Sequence, residues 1–595
     1  MTEKEIVWDF TEIYKGHDDP KIARDMEDLL KRAEEFETNV KGNIKSPQFT
    51  SQDLADLFRK IEDFQVDLGE IEVVCVNTYN ALMTLPENKA LLNKFEDFNT
   101  TIATKLAFLD LEIGKFLNEN KQMITDPALE NYKHYCEKIL LNFPHQLSEV
   151  EEQLIVEKDQ HGIKEWSRLQ GIWLNTQEYK VMVEGEEKIL SYGEANSLFT
   201  HPDRNTRISA NKAIYGLLGK HQEIFTTAIR NVCGDWMKTS KRRKFTNPLH
   251  SSLIVNDVTE DTIMNLMKTI ENNVDVYRRY LNIKAKLLQL PKLSCADIMA
   301  PLLETPHKKY TWDDAHSLII EAFNKFDAKF EEYAEDMFTK NHIDASPRMG
   351  KRNGAYCSSW YKGKSAFMLQ TFTGNLGEIY TLIHELGHAV HAYLASREQT
   401  PLNVHPGAPG AECASTFGEL LLTDLLLEKA ETPQEKKAIL AHLLDDAGQA
   451  AFQVSARFWF ETSMYEAIDK GQNLDGETVS KFWCAGRDKI YGDSVEWFDE
   501  MIWEWTMKGH YYIPNFRYYN YPYVLAQLFV YALYRVYKTE GNVFIPKFIK
   551  LLSSGGSQSL EALGKIVGFD ITKPEFWELG IKQYEDFVDQ LENLI

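Results

Sequence analysis

The sequence predicts a mainly α-helical protein with small β elements, on three observations. Apolar residues recur at spacings of three and four along most of the chain. Only two short segments alternate polar and apolar in the manner of strands. With 595 residues, 44% hydrophobic and 12% aromatic, the chain has enough apolar side chain to bury a large core, which argues for a packed globule over a disordered scaffold.

The helical spacing is plainest in Asp53–Asp67, Lys89–Leu117 and Asp261–Leu288, where charged residues separate the apolar positions. The first part of the chain therefore reads as long helices with mixed-charge outer faces. Glu178 to Ser191, EYKVMVEGEEKILS, alternates about Glu184-Gly185-Glu186 and reads as a β-hairpin. HPDRNTR follows, with a turn and a helix start. A boundary near the hairpin would separate an N-terminal helical domain, residues 1–190, from a larger domain, residues 191–595. Ser365–Phe372, SAFMLQTF, is the second strand candidate; it precedes the turn Thr373-Gly374-Asn375 and a helix beginning near Leu376. There is no fixed-period repeat and no low-complexity run.

The 66 basic and 89 acidic residues leave a formal charge of −23, which disfavours nucleic acid and anionic membranes as partners. Seven scattered cysteines without a C-x-x-C pair indicate neither a disulfide framework nor a cysteine metal site. MTEKEIVWDF lacks the basic and apolar regions of a secretory signal, and the apolar stretch Tyr523–Tyr534 is too short to span a bilayer. A cytoplasmic location is the expectation.

Residues 384–388 read HELGH. On a helix, His384 and His388 stand one turn apart on one face, so both imidazoles can reach a single ion. Imidazole suits zinc, and Glu385, beside the first ligand, can act as general base on a water there. Two histidines leave such a site one protein ligand short. His391 lies about 10 Å along the axis from His384, too far for three side chains of one straight helix to converge. The extended H-E-x-x-H-x-x-G-x-x-H pattern fails as well, since His391 and Leu394 occupy its last two positions. The third ligand is therefore expected from Gly410–Leu427, GAECASTFGELLLTDLLL, an apolar helix in which Glu412 and Glu419 share a face two turns apart. One of them can bind the metal while the other orients a ligand imidazole.

These motifs resemble the thimet oligopeptidase and oligoendopeptidase F family of zinc metallopeptidases, most nearly the oligoendopeptidase F branch. The resemblance runs from WDFTEIY near the N-terminus through GKRNGAYC (Gly350–Cys357), FMLQTFTGNLGEIYTLIHELGH and GAECASTFGE to HYYIPNFRYYNYPYV (His510–Val524). It implies a zincin-like, mainly α fold with a deep substrate channel between two lobes, residues 191–595 forming the catalytic domain. It implies one zinc ion on His384, His388 and Glu412, with Glu385 as the base and Glu419 as an orienting carboxylate. His510 and Tyr521 would stabilise the oxyanion, with Tyr512 or Tyr519 as a second tyrosine. Arg517 departs from the family pattern, which has an aromatic residue there. Short peptides are the implied substrates and internal peptide bonds the implied targets, although a blocked channel would convert the action to release of dipeptides. The strand Ser365–Phe372 is expected to pair with such a substrate in its extended form.

Other classes fit less well. Gly363-Lys364-Ser365 resembles the end of a phosphate-binding loop, but its earlier glycine is replaced by Ser358. G-x-S-x-G is absent, and no cysteine has the setting of a nucleophile. The remaining rival is a catalytically inactive peptide-binding homologue, which would have no use for Glu385. The sequence leaves the oligomeric state and cleavage preference open.

Overall fold

In a computed structural model, which describes residues 5–45, 48–302 and 308–595, the three-and-four spacing becomes helix through most of the chain. Ser51–Ala81 starts where Thr50 and Asp53 cap each other's backbone N–H groups, so the signal in Asp53–Asp67 belongs to a longer helix. Lys89–Leu117 divides into Pro86–Leu106 and Phe108–Glu119. Asp261–Leu288 divides at Asn273, whose φ of −122° and ψ of 16° are not helical, into Glu260–Asn272 and Val274–Leu287. Apolar periodicity runs on across such short breaks, which is why spacing alone merges the two helices in each case.

The chain separates into two compact units, each assembled from three stretches. The first contains Met1–Phe143, His307–Glu428 and Val536–Asp570; the second contains Pro144–Pro306, Lys429–Arg535 and Ile571–Ile595. The boundary expected near residue 190 thus falls within a stretch of the second unit.

The first unit packs its N-terminal helices around Leu54, Phe58, Ile71 and Phe95. Phe367 joins that core, its ring 4.8 Å from that of Phe10. Phe367 belongs to a three-stranded sheet of β1 (Ile343–Asp344), β2 (Tyr356–Trp360) and β3 (Ser365–Leu369). The strand order is β1-β3-β2; β3 runs parallel to β1 and antiparallel to β2, with Tyr356 opposite Leu369 and Trp360 opposite Ser365. All five residues of β3 are buried, as a central strand requires. The chain then turns at Gly374, where φ is +92° and a Cβ would lie 2.6 Å from the Tyr310 carbonyl oxygen. Only glycine meets both demands. Asn375 and Glu378 cap the start of helix α1 (Leu376–Glu398) reciprocally.

In the second unit, Tyr179–Val183 pairs antiparallel with Glu186–Leu190, as the alternation predicts. Glu184 and Gly185 both have positive φ, 52° and 90°, the two-residue turn whose twist suits a hairpin. Glu184 therefore occupies a position where glycine, asparagine or aspartate is the usual choice. Among the described residues no helix is long and apolar enough to cross a membrane. All seven cysteines are free.

Candidate metal centre

α1 places His384 and His388 one turn apart, with their rings 4.9 Å from centre to centre and nearly perpendicular. A second helix, α2 (Ala408–Lys429), supplies the third group. It can come close because position 387 is glycine: a Cβ there would lie 2.5 Å from the Ala414 carbonyl oxygen and 2.5 Å from Ser415 Cα. Glu412 Oε2 consequently stands 3.4 Å from His384 Nε2 and 3.5 Å from His388 Nε2. One donor atom from each of the three residues lies within 4.8 Å of the others, the one such group among the described residues.

Two further contacts orient these donors. Ser415 Oγ donates to Glu412 Oε2 at 2.8 Å. His384 Nδ1 lies 2.6 Å from Glu419 Oε1, which places the imidazole proton on Nδ1 and leaves Nε2 free as a ligand. Sequence reasoning passed over Gly387 and Ser415. The glycine inside HELGH was a visible signal, but the helix it faces lies elsewhere in the chain.

The electrostatics describe a carboxylate-rich pocket. Burial lowers the pKa of His384, but the Glu419 bond and the charges of Glu419, Glu412 and Glu385 carry it up to about 9. Burial raises the Glu385 carboxyl to about 7; Glu412 and Glu419 add to the rise and His384 opposes it. The pKa of His388 is lowered, by burial first. Two imidazole nitrogens and a carboxylate oxygen converge among this excess of negative charge, and that donor set fits a divalent cation. His391 is outside the cluster. It is buried, its pKa pulled down to about 4, and it bonds to the backbone at Ala411 and Leu552.

The group opens on a cavity of about 480 Å³ lined by Glu385, the ligand candidates, and Tyr356, Cys357 and Ser359 of β2. This arrangement corrects one expectation. Ser365–Phe372 was the strand expected to pair with an extended peptide, but the strand ends at Leu369 and has β1 and β2 on its two edges. Its backbone is already committed. The edge strand beside the cavity is β2, which sequence reasoning missed because a five-residue strand rich in serine has little apolar alternation.

The second unit holds His510 and the tyrosines. Arg457 Nη1 donates to Asn520 Oδ1 at 2.8 Å, which turns the amide so that Asn520 Nδ2 donates to His510 Nε2 at 3.0 Å. The His510 proton therefore sits on Nδ1. Burial and the charges of Arg457, Lys508 and Arg517 pull its pKa down to about 3, so the ring is neutral at ordinary pH. Tyr521 opens the helix Tyr521–Glu540 and is buried. Its hydroxyl accepts from Ser252 Oγ at 3.1 Å and Asn256 Nδ2 at 3.2 Å, so its own proton remains available to donate. Burial raises its pKa to about 12, which keeps that proton in place. The half-buried ring of Tyr519 lies 5.4 Å from that of His510, whereas Tyr512 is fully buried with its hydroxyl unpartnered. Arg517 clamps the loop from within, donating to the carbonyl oxygens of Tyr511 at 3.0 Å and His510 at 3.3 Å.

Residues 197–583, more than half of the chain, match the family model described as Peptidase family M3. The chain belongs to that family. It is accordingly a metallopeptidase, as the resemblance in its motifs implied. Residues 118–172 match a further model described as Oligopeptidase F. Among individual relatives, Oligopeptidase PepF of Bacillus subtilis is 26% identical over 512 residues, covering 85% of this chain and 76% of its own. Group B oligopeptidase PepB of Streptococcus agalactiae is 26% identical over 605 residues, covering 100% and 98%. Of the solved structures, a candidate peptidase from Chlamydophila abortus superimposes with a TM-score of 0.88 at 21% identity, covering 99% of this chain and 98% of its own. Oligoendopeptidase-F of Enterococcus faecium gives 0.68 at 21% identity, covering 96% and 98%. At that identity the structural likeness speaks to the fold, a mainly helical body with small sheets.

Proposed function

We propose that the chain is a zinc endopeptidase that hydrolyses internal bonds of short oligopeptides. The observation that carries this reading is the convergence of His384, His388 and Glu412 beside Glu385 in one cavity. The oligopeptidase names of the relatives supply the substrate class. Zinc is the choice of metal because two imidazoles and one carboxylate form a familiar catalytic ligand set.

A zinc ion on these three residues would supply Lewis acidity and lower the pKa of a water in the site. The rest falls to the chain. Glu385 accepts the proton of the attacking water and delivers it to the leaving amine. Glu419 keeps the His384 proton on Nδ1. The free edge of β2 offers backbone groups to an extended peptide, which would fix the scissile bond by strand addition. His510, through Nδ1–H, and Tyr521 donate to the oxyanion, and Tyr519 is the second tyrosine because it flanks His510.

Internally quenched oligopeptides, with products read by mass spectrometry, test the whole reading. Internal cleavage that stops on chelation and returns with zinc is expected. Failure to cleave by a protein loaded with zinc would move the inactive peptide-binding homologue to the front.

Glu419→Gln is expected to weaken metal affinity about 10- to 100-fold, because the amide no longer fixes the imidazole proton as a carboxylate does. A competition titration against a chelator measures this, and an unchanged affinity would remove Glu419 from the site. Asn520→Asp is expected to reverse the His510 tautomer, since a carboxylate accepts from Arg457 and from Nε2–H together. A fall in kcat of about 10²- to 10³-fold should follow. Nitrogen chemical shifts of the ring report the tautomer; a proton still on Nδ1 would refute the relay.

A further inference from the structure

We propose that the second unit carries a binding site for a compact monoanion, a carboxylate or a halide, in a cavity of about 260 Å³ remote in sequence from the HELGH motif. The site is built on helix α4 (Gly476–Tyr491), which packs against α3 (Ala456–Asp469) with Gly486 allowing close approach. Trp483 and Arg487 lie four residues apart on one face of α4 and line the cavity, 6% and 9% exposed. Trp497, from the segment after α4, lines it as well.

These three side chains have donors to spare. The indole Nε1 of Trp483, the indole Nε1 of Trp497 and Nη1 of Arg487 are all buried without a hydrogen-bond partner. The guanidinium carbon of Arg487 lies 4.0 Å from the centre of the Trp497 ring, and its Nε donates to Asp488 at 3.0 Å. Stacked and tethered in this way, Arg487 holds Nη1 in the interior. Buried donors left unmatched are costly, so three of them lining one cavity imply an acceptor.

Charge decides what kind of acceptor. Arg457, Arg487 and Lys508 line the cavity; Arg487 is paired with Asp488 at 3.0 Å and Lys508 with Glu504 at 3.1 Å, so Arg457 supplies the surplus positive charge. Arg457 spends its Nη1 on the neutral amide of Asn520 and has no carboxylate within 4.0 Å among the described residues. The lining is therefore cationic in a chain whose formal charge is −23. A metal cation is excluded by these neighbours. Gln453 Oε1 and the Tyr491 hydroxyl are buried without a partner on the same walls, so one acceptor oxygen and one hydroxyl face three unmatched N–H groups. A water accepts two N–H groups at most and brings no charge to meet the unpaired Arg457. An anion can accept several N–H groups at once and also meets the surplus positive charge. The remaining walls include Phe199, Met299 and Met501, which leaves room for a short apolar substituent on a carboxylate.

The test uses the full-length, metal-loaded enzyme in a halide-free, carboxylate-free buffer. Thermal unfolding is followed while sodium chloride, sodium acetate or sodium butyrate is added, and crystals soaked in sodium bromide are examined at the bromine absorption edge. A saturable rise in Tm and bromide density between Trp483, Arg487 and Trp497 are expected. Trp483→Phe with Trp497→Phe keeps an aromatic side chain at each position while removing the N–H groups and part of each indole; it should raise the midpoint of the response at least about tenfold. Chloride acting alone assigns a halide site, whereas butyrate acting at lower concentration assigns a carboxylate site with an apolar wall. A Tm response that is linear in salt, identical in the double variant and without bromide density would overturn the proposal.

Discussion

Glu385→Gln is expected to keep its metal and its fold while kcat falls by about 10²- to 10⁴-fold, the range that a positioned general base contributes. The substitution is clean for structural reasons. Glu385 is 7% exposed, and its carboxylate makes no hydrogen bond or ion pair among the described residues. Glutamine has the same shape, so no existing contact is lost. Removing a negative charge also relieves repulsion from Glu412 and Glu419, the groups that help to hold the Glu385 pKa near 7. Stability should therefore be unchanged or slightly higher. Metal content by mass spectrometry, Tm, and kcat on a quenched peptide separate the outcomes. Activity within tenfold of wild type at full metal content would place the base elsewhere; loss of the metal would mean that Glu385 supports the ligands.

The parts of this site that sequence reveals are those held by one helix. His384, Glu385 and His388 become neighbours through the 3.6-residue repeat alone, so their arrangement follows from reading HELGH on a helix. Glu412 needed more: small and apolar neighbours marked its helix as buried, and the helix does run from Ala408 to Lys429 around it. The hairpin at Tyr179–Leu190 was legible for a similar local reason, since alternation and a Glu-Gly turn lie within one short stretch.

What stayed hidden depends on partners distant in sequence. Nothing near Ser365–Leu369 announces that both of its edges are filled, because one partner is β1 and the other is β2. Arg517 breaks the family pattern in sequence, yet its guanidinium holds the loop carbonyls of His510 and Tyr511. The proton position on His510 rests on Arg457, 53 residues earlier, acting through Asn520. Such relations are set by packing, which periodicity and motif spacing do not encode.

Gly387→Ala is expected to lower metal affinity at least about a hundredfold while altering stability much less, and the two effects have separate magnitudes. In a helix interior alanine is favoured over glycine by about 1 kcal/mol. Against this stands overpacking, about 1–3 kcal/mol, so the net loss of stability is about 2 kcal/mol or less. The metal site has no such tolerance. The added methyl would meet backbone of Ala414 and Ser415 at 2.5 Å, where ordinary contact begins near 3.4 Å. Backbone atoms cannot rotate away, so α1 and α2 must separate by several tenths of an ångström, while ligand distances hold to about 0.2 Å. Glu412 is carried away from His384 and His388 as the helices part. Gly377→Ala is the control on the same helix, since a Cβ there meets nothing within 4 Å. It should bind metal as wild type does. Zinc competition titrations on the two variants measure the difference, and equal affinities would show that close packing at residue 387 does not set the position of the third ligand.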